Sequence, residues 1–211
     1  NKETCLVRCI EYIVTQRQTD DIQKRAEEIR TKNSGKTICV AVGRHTEYKG
    51  FTYLIQASKL LDGRFLIYIT GTGELTEKLH EEANDDKKVV FTGRIDDMEL
   101  KALILASDIF CFPSITKNEA FGLALAEGMY YGKPAVTFTI PGSGVNYVNI
   151  NGETGIEVEN RNVKKYAEAM KKLADDAELR EKYGDAGRKR VEENFLSTQF
   201  CENARRMFSR L

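Results

Sequence analysis

Between residues 37 and 139 short apolar runs alternate with longer amphipathic stretches, a rhythm repeated five times. The apolar runs are TICVAVG (37–43), RFLIYITG (64–71), KVVFTG (88–93), DIFCFP (108–113) and KPAVTFT (133–139). The stretches between them predict helices near 50–61, from about 74, near 97–106 and near 121–131. Strands of near-continuous apolar character, separated by helices, require both sheet faces to be covered. The pattern therefore predicts an α/β fold, a Rossmann-like doubly wound parallel sheet with C-terminal helices.

The flanks read differently. Residues 17–36 are polar and charged, with Ile22, Ala26 and Ile29 near helical spacing, and predict a solvated helix leading into the core. Beyond Gly142, Gly144, Gly152 and Gly155 the chain from about 163 onward reads as helical to its end. Tyr166, Met170 and Leu173, and then Phe200, Ala204, Met207, Phe208 and Leu211, form core-facing stripes.

Composition narrows the class. A chain of 211 residues holds one well-buried α/β core. Lys+Arg and Asp+Glu both number 32, so the overall field favours neither nucleic acid nor an anionic membrane as the main partner, and any anion must be met locally. The five cysteines, Cys5, Cys9, Cys39, Cys111 and Cys201, are odd in number and scattered, which reads as reduced cytosolic thiols, with Cys39 and Cys111 as small buried hydrophobes. No apolar run approaches the ~20 residues a membrane-spanning helix needs. The chain begins without Met, from which a fragment or a processed product is expected.

In open parallel sheets ligands bind beyond the carboxyl ends of the strands, and the polar, Gly-bearing segments of this chain fall there. After the first strand, Gly43 and Arg44 are followed by Lys49 as the next helix opens. A planar guanidinium and a point-charge ammonium at a helix N-terminus suit a diphosphate. Gly71-Thr72-Gly73 fails the dinucleotide fingerprint because position 76 is Thr, and reads as a tight turn admitting a ligand or the neighbouring loop. The stretch from Pro113 carries Glu119 and Glu127. Were that span wholly helical, the two carboxylates would sit about 12 Å apart along the axis, too far to share one proton or one water. They would instead touch different parts of one long ligand, and Glu127, among Ala124, Leu125, Ala126 and Met129, needs a partner. His45 and His80 lack metal-ligand spacing and no Asp-x-Asp occurs, so no metal is expected. No Gly-x-Ser-x-Gly elbow is present to supply a hydrolytic nucleophile.

From about Thr37 to Phe200, five segments stand in the order of a known family: VGRHTEYKGFTYLIQA, GTGEL, VVFTGRI, PSITKNEAFGLALAEGMYYGKPAV and VNINGETGIEVE. The chain thus resembles the C-terminal, donor-binding domain of the retaining family-four glycosyltransferases of GT-B fold (glycosyltransferase group 1), with Glu119 and Glu127 as the E-x7-E pair. The resemblance implies a nucleotide-sugar donor, a UDP- or GDP-sugar, and no cofactor or metal. Arg44 and Lys49 would hold the diphosphate, Glu119 the sugar hydroxyls and Glu127 the ribose. Phe121, Gly122 and Leu123 would offer backbone N–H groups to phosphate, and Arg94 and Ile95 would face the base through main-chain atoms. It implies residues 1–36 as an interdomain strand and helix lead-in, 37–196 as the nucleotide-sugar-binding domain and 197–211 as a C-terminal helix. The Pro-Asn-Gly-like turn that usually ends the interdomain strand is not evident after residues 6–15.

Hexosyl transfer to a sugar or lipid-linked acceptor on an absent N-terminal domain is the implied reaction, with the chain alone not turning over. The implied setting is cytoplasmic, extending to peripheral association at the inner membrane for the full-length protein, in polysaccharide biosynthesis. PGSGVNYVN resembles members using mannose-type donors. Two alternatives stay open: a nucleotide-sugar epimerase of GT-B-like fold, and a noncatalytic binding domain.

Overall fold

The computed structural model describes residues 20–195. A first helix, α1 (Asp20–Lys32), precedes a regular alternation of β1 (Thr37–Val42), α2 (Phe51–Ser58), β2 (Phe65–Thr70), α3 (Thr76–Ala83) and β3 (Val89–Gly93). The chain continues through α4 (Asp97–Ala106), β4 (Ile109–Phe112), α5 (Leu123–Tyr130), β5 (Ala135–Phe138), a short α6 (Val145–Val148) and β6 (Gly155–Val158). Two helices, α7 (Val163–Asp175) and α8 (Ala177–Asn194), close the described part.

All six strands form one parallel sheet in the order β3-β2-β1-β4-β5-β6. The chain winds outward from β1 to one edge, then returns to β4 and winds to the other. Right-handed crossovers place α2 and α3 on one face and α4, α5 and α6 on the opposite face. Helix α7 packs beside α2, while α1 packs on α4 and α8 on α5. The expected doubly wound fold is thus present, with its switch in strand order between β1 and β4.

Burial explains the strand sequences. Every residue of β4 and β5 is buried, as are Ile38, Cys39, Val40 and Ala41 of β1, whereas the edge strand β3 is only partly buried throughout. Cys39 and Cys111 are free and buried on the adjacent central strands. Tyr166 brings its hydroxyl into this core and donates to the Val136 carbonyl at 2.8 Å.

Three expectations are modified. The stretch before β1 is helical, but its Ile22, Ala26 and Ile29 stripe is buried, so only its outer face is solvated. Arg25 adds a two-pronged bond to Glu99 on α4 (2.7 and 2.9 Å), and Arg30 another to Asp108 (2.5 and 2.9 Å). A sixth strand, β6, lies in the glycine-bearing stretch before residue 163, where no strand was expected. The terminal helical region is broken at Asp176, whose extended backbone and side-chain bond to Leu179 N (2.9 Å) start α8 afresh. Residues 6–15 and 200–211, and Cys5, Cys9 and Cys201, lie outside the described residues. Among the described residues no helix is long and apolar enough to cross a membrane.

Helix α5 lies directly on β4: a Cβ placed on Gly128 would stand 2.3 Å from the Phe110 ring. Phe110 is fully buried and has nowhere to retreat. Gly128→Ala is therefore expected to destabilise the fold by roughly 1–3 kcal/mol through overpacking. Denaturant unfolding of the variant against the parent checks this; an unchanged midpoint would contradict so close a helix–strand contact.

Candidate nucleotide-sugar site

Of the residues singled out from the sequence, Gly43, Arg44, Lys49 and Glu119 lie on the loops that follow β1 and β4, neighbours in the sheet. After β1 the chain passes Gly43 and Arg44, makes a single 3-10 turn at Glu47–Lys49, and enters α2 through Gly50, whose φ of 66° is left-handed. This loop is stapled to the one after β4. Ile115 N donates to the Tyr48 carbonyl at 2.9 Å, and a Cβ on Gly50 would sit 2.1 Å from the Pro113 oxygen. Only a glycine lets the two backbones approach so closely.

The two stapled loops supply an ion pair. Lys49 Nζ donates to Glu119 Oε2, and both side chains are nearly buried, at 12% and 11% exposure. Ser114 Oγ donates to the same Oε2 at 3.1 Å. The ammonium also lies over the rings of Phe112 and Tyr48, at 5.1 and 5.4 Å from their centres. Glu119 Oε1 receives no hydrogen bond from a described residue, and Lys49 retains donor capacity beyond its one bond to Glu119.

Arg44 is exposed at the same strand end and forms no ion pair with a described residue. Glu127 sits in the fifth position of α5, since the E-x7-E span is a loop up to Gly122 and helical only from Leu123. It makes no hydrogen bond with Lys49, Glu119 or Arg44. Burial pushes its carboxyl up to about 7, with the negative charge of Asp97 adding to the rise and Lys101 opposing it. Lys101, only 1% exposed, bonds Asp97 at 2.6 Å, so a charged pair on α4 stands near Glu127. Lys49 and Glu119 are therefore brought into contact, whereas Arg44 lies exposed on the loop that carries Lys49 and Glu127 stands near Asp97 and Lys101 of α4, outside that contact.

Gly122 has a φ of 90° and precedes α5 without any side-chain cap, leaving the first-turn amides from Leu123 onward for another acceptor. The Phe121 ring stands edge-on to Phe195 at 5.3 Å. Arg94 is exposed and Ile95 half-buried in the β3–α4 turn, which ends with Asp96 capping α4 through Glu99 N at 2.8 Å. Two strand spacings, about 10 Å, separate the ends of β1 and β3.

Gly71 and Gly73 resolve the choice between ligand and neighbour. A Cβ on Gly71 would lie 2.1 Å from the Gly43 oxygen, and one on Gly73 2.5 Å from the His45 oxygen. His45 N donates to Thr72 O (3.1 Å) and Leu75 N to His45 O (3.0 Å). The space is filled by the β1 loop, and these glycines position Arg44 by letting that loop dock. His45 is buried against Phe51 and Phe91, its ring nitrogen Nδ1 3.0 Å from Thr76 Oγ1, and burial lowers its pKa. The sequence reading missed Ser114, Ser143 and the Asp97–Lys101 pair. Ser114 carried a signal, a hydroxyl directly after the proline that ends β4. Among the described residues no group of three His, Cys, Asp or Glu is placed to hold a metal.

The chain matches the glycosyl transferases group 1 family over residues 22–190. It belongs to that family, and its fold is that of a GT-B C-terminal domain. A curated relative, the D-rhamnosyltransferase WbpZ of Pseudomonas aeruginosa, is 34% identical over 176 residues, covering 82% of this chain and 45% of that protein. Among solved structures, Anabaena HepE in complex with UDP superposes with a TM-score of 0.81 at 18% identity, covering 92% of this chain and 54% of that one. The C-terminal domain of the group 1 protein LpcC from Francisella tularensis superposes with a TM-score of 0.70 at 22% identity, covering 84% of this chain and 94% of that one. The chain spans about half the length of the curated relatives it matches.

The Glu127 environment gives a measurable pH dependence. Its carboxyl titrates near 7 when folded, against an ordinary value of 4.5, so the folded state holds the proton more tightly. That contribution to stability is present below about 4.5 and is lost as pH rises through about 7. Glu127→Gln, which never ionises, should gain stability relative to the parent between urea titrations at pH 5 and pH 8. A difference that does not change with pH would show that the carboxyl titrates ordinarily.

Proposed function

We propose that this chain is the donor-binding half of a nucleotide-sugar-dependent, retaining hexosyltransferase that works without a metal. The observation that carries the proposal is the Lys49–Glu119 pair at the β1/β4 switch point. In a single feature it offers an ammonium to a diphosphate and a free carboxylate oxygen to a sugar.

Lys49 and Arg44 grip the diphosphate, one ammonium seated between aromatic rings and one guanidinium at the rim. Backbone N–H groups from Phe121 to Leu123, at the uncapped start of α5, complete the phosphate cradle. Glu119 Oε1 accepts from sugar hydroxyls and Glu127 from the ribose. The base extends toward Arg94 and Ile95, whose distance along the strand ends suits a ribose and base laid beyond a diphosphate. As the glycosidic bond to the diphosphate breaks, negative charge grows on the leaving group. Cations fixed beforehand stabilise that charge without a metal to do so.

The acceptor, a sugar or a lipid-linked sugar, binds on a separate N-terminal domain. The chain alone therefore binds donor without transferring sugar, and the whole protein acts on the cytoplasmic side in polysaccharide assembly. Support comes from the family membership and from relatives named as an O-antigen chain mannosyltransferase and a capsular polysaccharide biosynthesis glycosyltransferase.

Isothermal titration with UDP and GDP in the presence of EDTA tests this reading. One of the two should bind, and Arg44→Ala and Lys49→Ala should each lower affinity by roughly tenfold or more, as expected for a lost charge-assisted bond. Lys49→Ala also strands Glu119 beside the phosphates, so the double variant Lys49→Ala/Glu119→Gln should recover part of that loss. No heat from UDP, GDP or ADP, or binding abolished by EDTA, would refute the proposal.

A further inference from the structure

The segment 113–122 that carries Glu119 contains neither helix nor strand, so its path depends on bonds to its surroundings. One set lies on the carboxylate side, where Lys49 and Ser114 engage Oε2. A second set arrives from the opposite side, from the loop after β5. Ser143 Oγ donates to the Glu119 carbonyl, and Gly144 N donates to the Ala120 carbonyl at 3.0 Å. The approach is close: a Cβ on Gly144 would lie 2.6 Å from the Ala120 oxygen and 2.9 Å from Phe121 Cα.

The β5–α6 loop is itself well braced. Ser143 N donates to Ile140 O (3.0 Å), and Val145 N donates to Ser143 Oγ (3.2 Å). Asn146 clasps its base, accepting from Ile140 N at 2.6 Å and donating to Phe138 O at 3.0 Å. A loop so held can act as an anchor for a neighbour that has no regular structure of its own.

We infer that Ser143 is a positioning residue for Glu119, and that it governs recognition of the donor's sugar separately from that of its nucleoside diphosphate. The inference rests on the reading of Glu119 as the sugar-facing carboxylate. Its physical content is a lever. With Oε2 held by Lys49 and Ser114, the direction of Oε1 is set by where the backbone of residue 119 sits, and the Ser143 hydroxyl fixes that backbone at its carbonyl. Lys49 is also held between the rings of Phe112 and Tyr48, which Ser143 does not touch, so its hold on phosphate survives the loss of Ser143.

The test compares two affinities in each variant, UDP against UDP-glucose and GDP against GDP-mannose, by titration calorimetry on this chain, with melting temperature recorded alongside. For the pair that binds, Ser143→Ala should reduce the affinity ratio of sugar nucleotide to nucleoside diphosphate by roughly three- to tenfold, the worth of one hydrogen bond. Ser143→Thr, which keeps the hydroxyl, should preserve the ratio. In a Glu119→Ala background the further change Ser143→Ala should leave the ratio where it is, because the lever then has nothing to move. A Ser143→Ala effect that is equal on both ligands, absent, or undiminished without Glu119 overturns the inference while leaving the donor site intact. Should Glu119→Ala alone leave the ratio unaltered, the sugar-facing assignment itself is what fails. If Ser143→Ala does not fold, Ser143→Cys, a weaker donor of similar size, gives the same comparison.

Discussion

An ammonium and a carboxylate withdrawn from water lose most of their hydration, and they remain charged there only if each finds the other in good geometry. Lys49 and Glu119 meet this condition although 70 residues separate them, because β1 and β4 are neighbours in the sheet and their following loops leave it side by side. The wider site is organised by this adjacency. The close passage at Gly50 and Pro113, the Tyr48–Ile115 bond and the Ser114 hydroxyl all serve to bring the two charges together. Arg44 lies on the same loop as Lys49, and the uncapped start of α5 follows the segment that carries Glu119.

Much of the architecture could be read from the chain because a strand buried on both faces must be apolar throughout. The runs at 37–43, 64–71, 88–93, 108–113 and 133–139 each became a strand, trimmed at the ends where polar residues leave the sheet. What escaped has a physical explanation. β6 is only four residues long, half-buried at the sheet edge, and contains Glu157, so neither a continuous apolar run nor a clear alternation announces it. The stripe on α1 was visible, but its burial depends on α4, a partner more than sixty residues further on. The break between α7 and α8 turns on a single capping residue, Asp176, inside a stretch whose periodicity barely changes.

The candidate site was legible in its residue types and less so in its geometry. Lys49 and Glu119 were singled out separately, as a cation for phosphate and a carboxylate for sugar, and their direct contact follows from topology that no local pattern encodes. Gly71 and Gly73 left open whether ligand or loop would fill the turn, and the answer, the β1 loop, lies on another segment. Glu127 was flagged as a carboxylate in apolar company. The groups that act on it, Asp97 and Lys101, sit on a helix read only as amphipathic, where a fully buried lysine is indistinguishable from a solvated one. Ser143 was hidden for a similar reason, since its bond is to a main-chain oxygen that every residue possesses.

The backbone-to-backbone crossings at Gly43/Gly71, His45/Gly73 and Gly50/Pro113 carry a consequence for divergence among related proteins. Insertions or deletions in these three loops would disengage several crossings at once, so the loops can drift in side chain but hardly in length. Evolutionary latitude is thereby concentrated in side chains that project from a fixed frame rather than in the course of the loops. A lineage that changes its preferred base or sugar would do so by exchanging such projections, while the path of the chain beneath them stays the same.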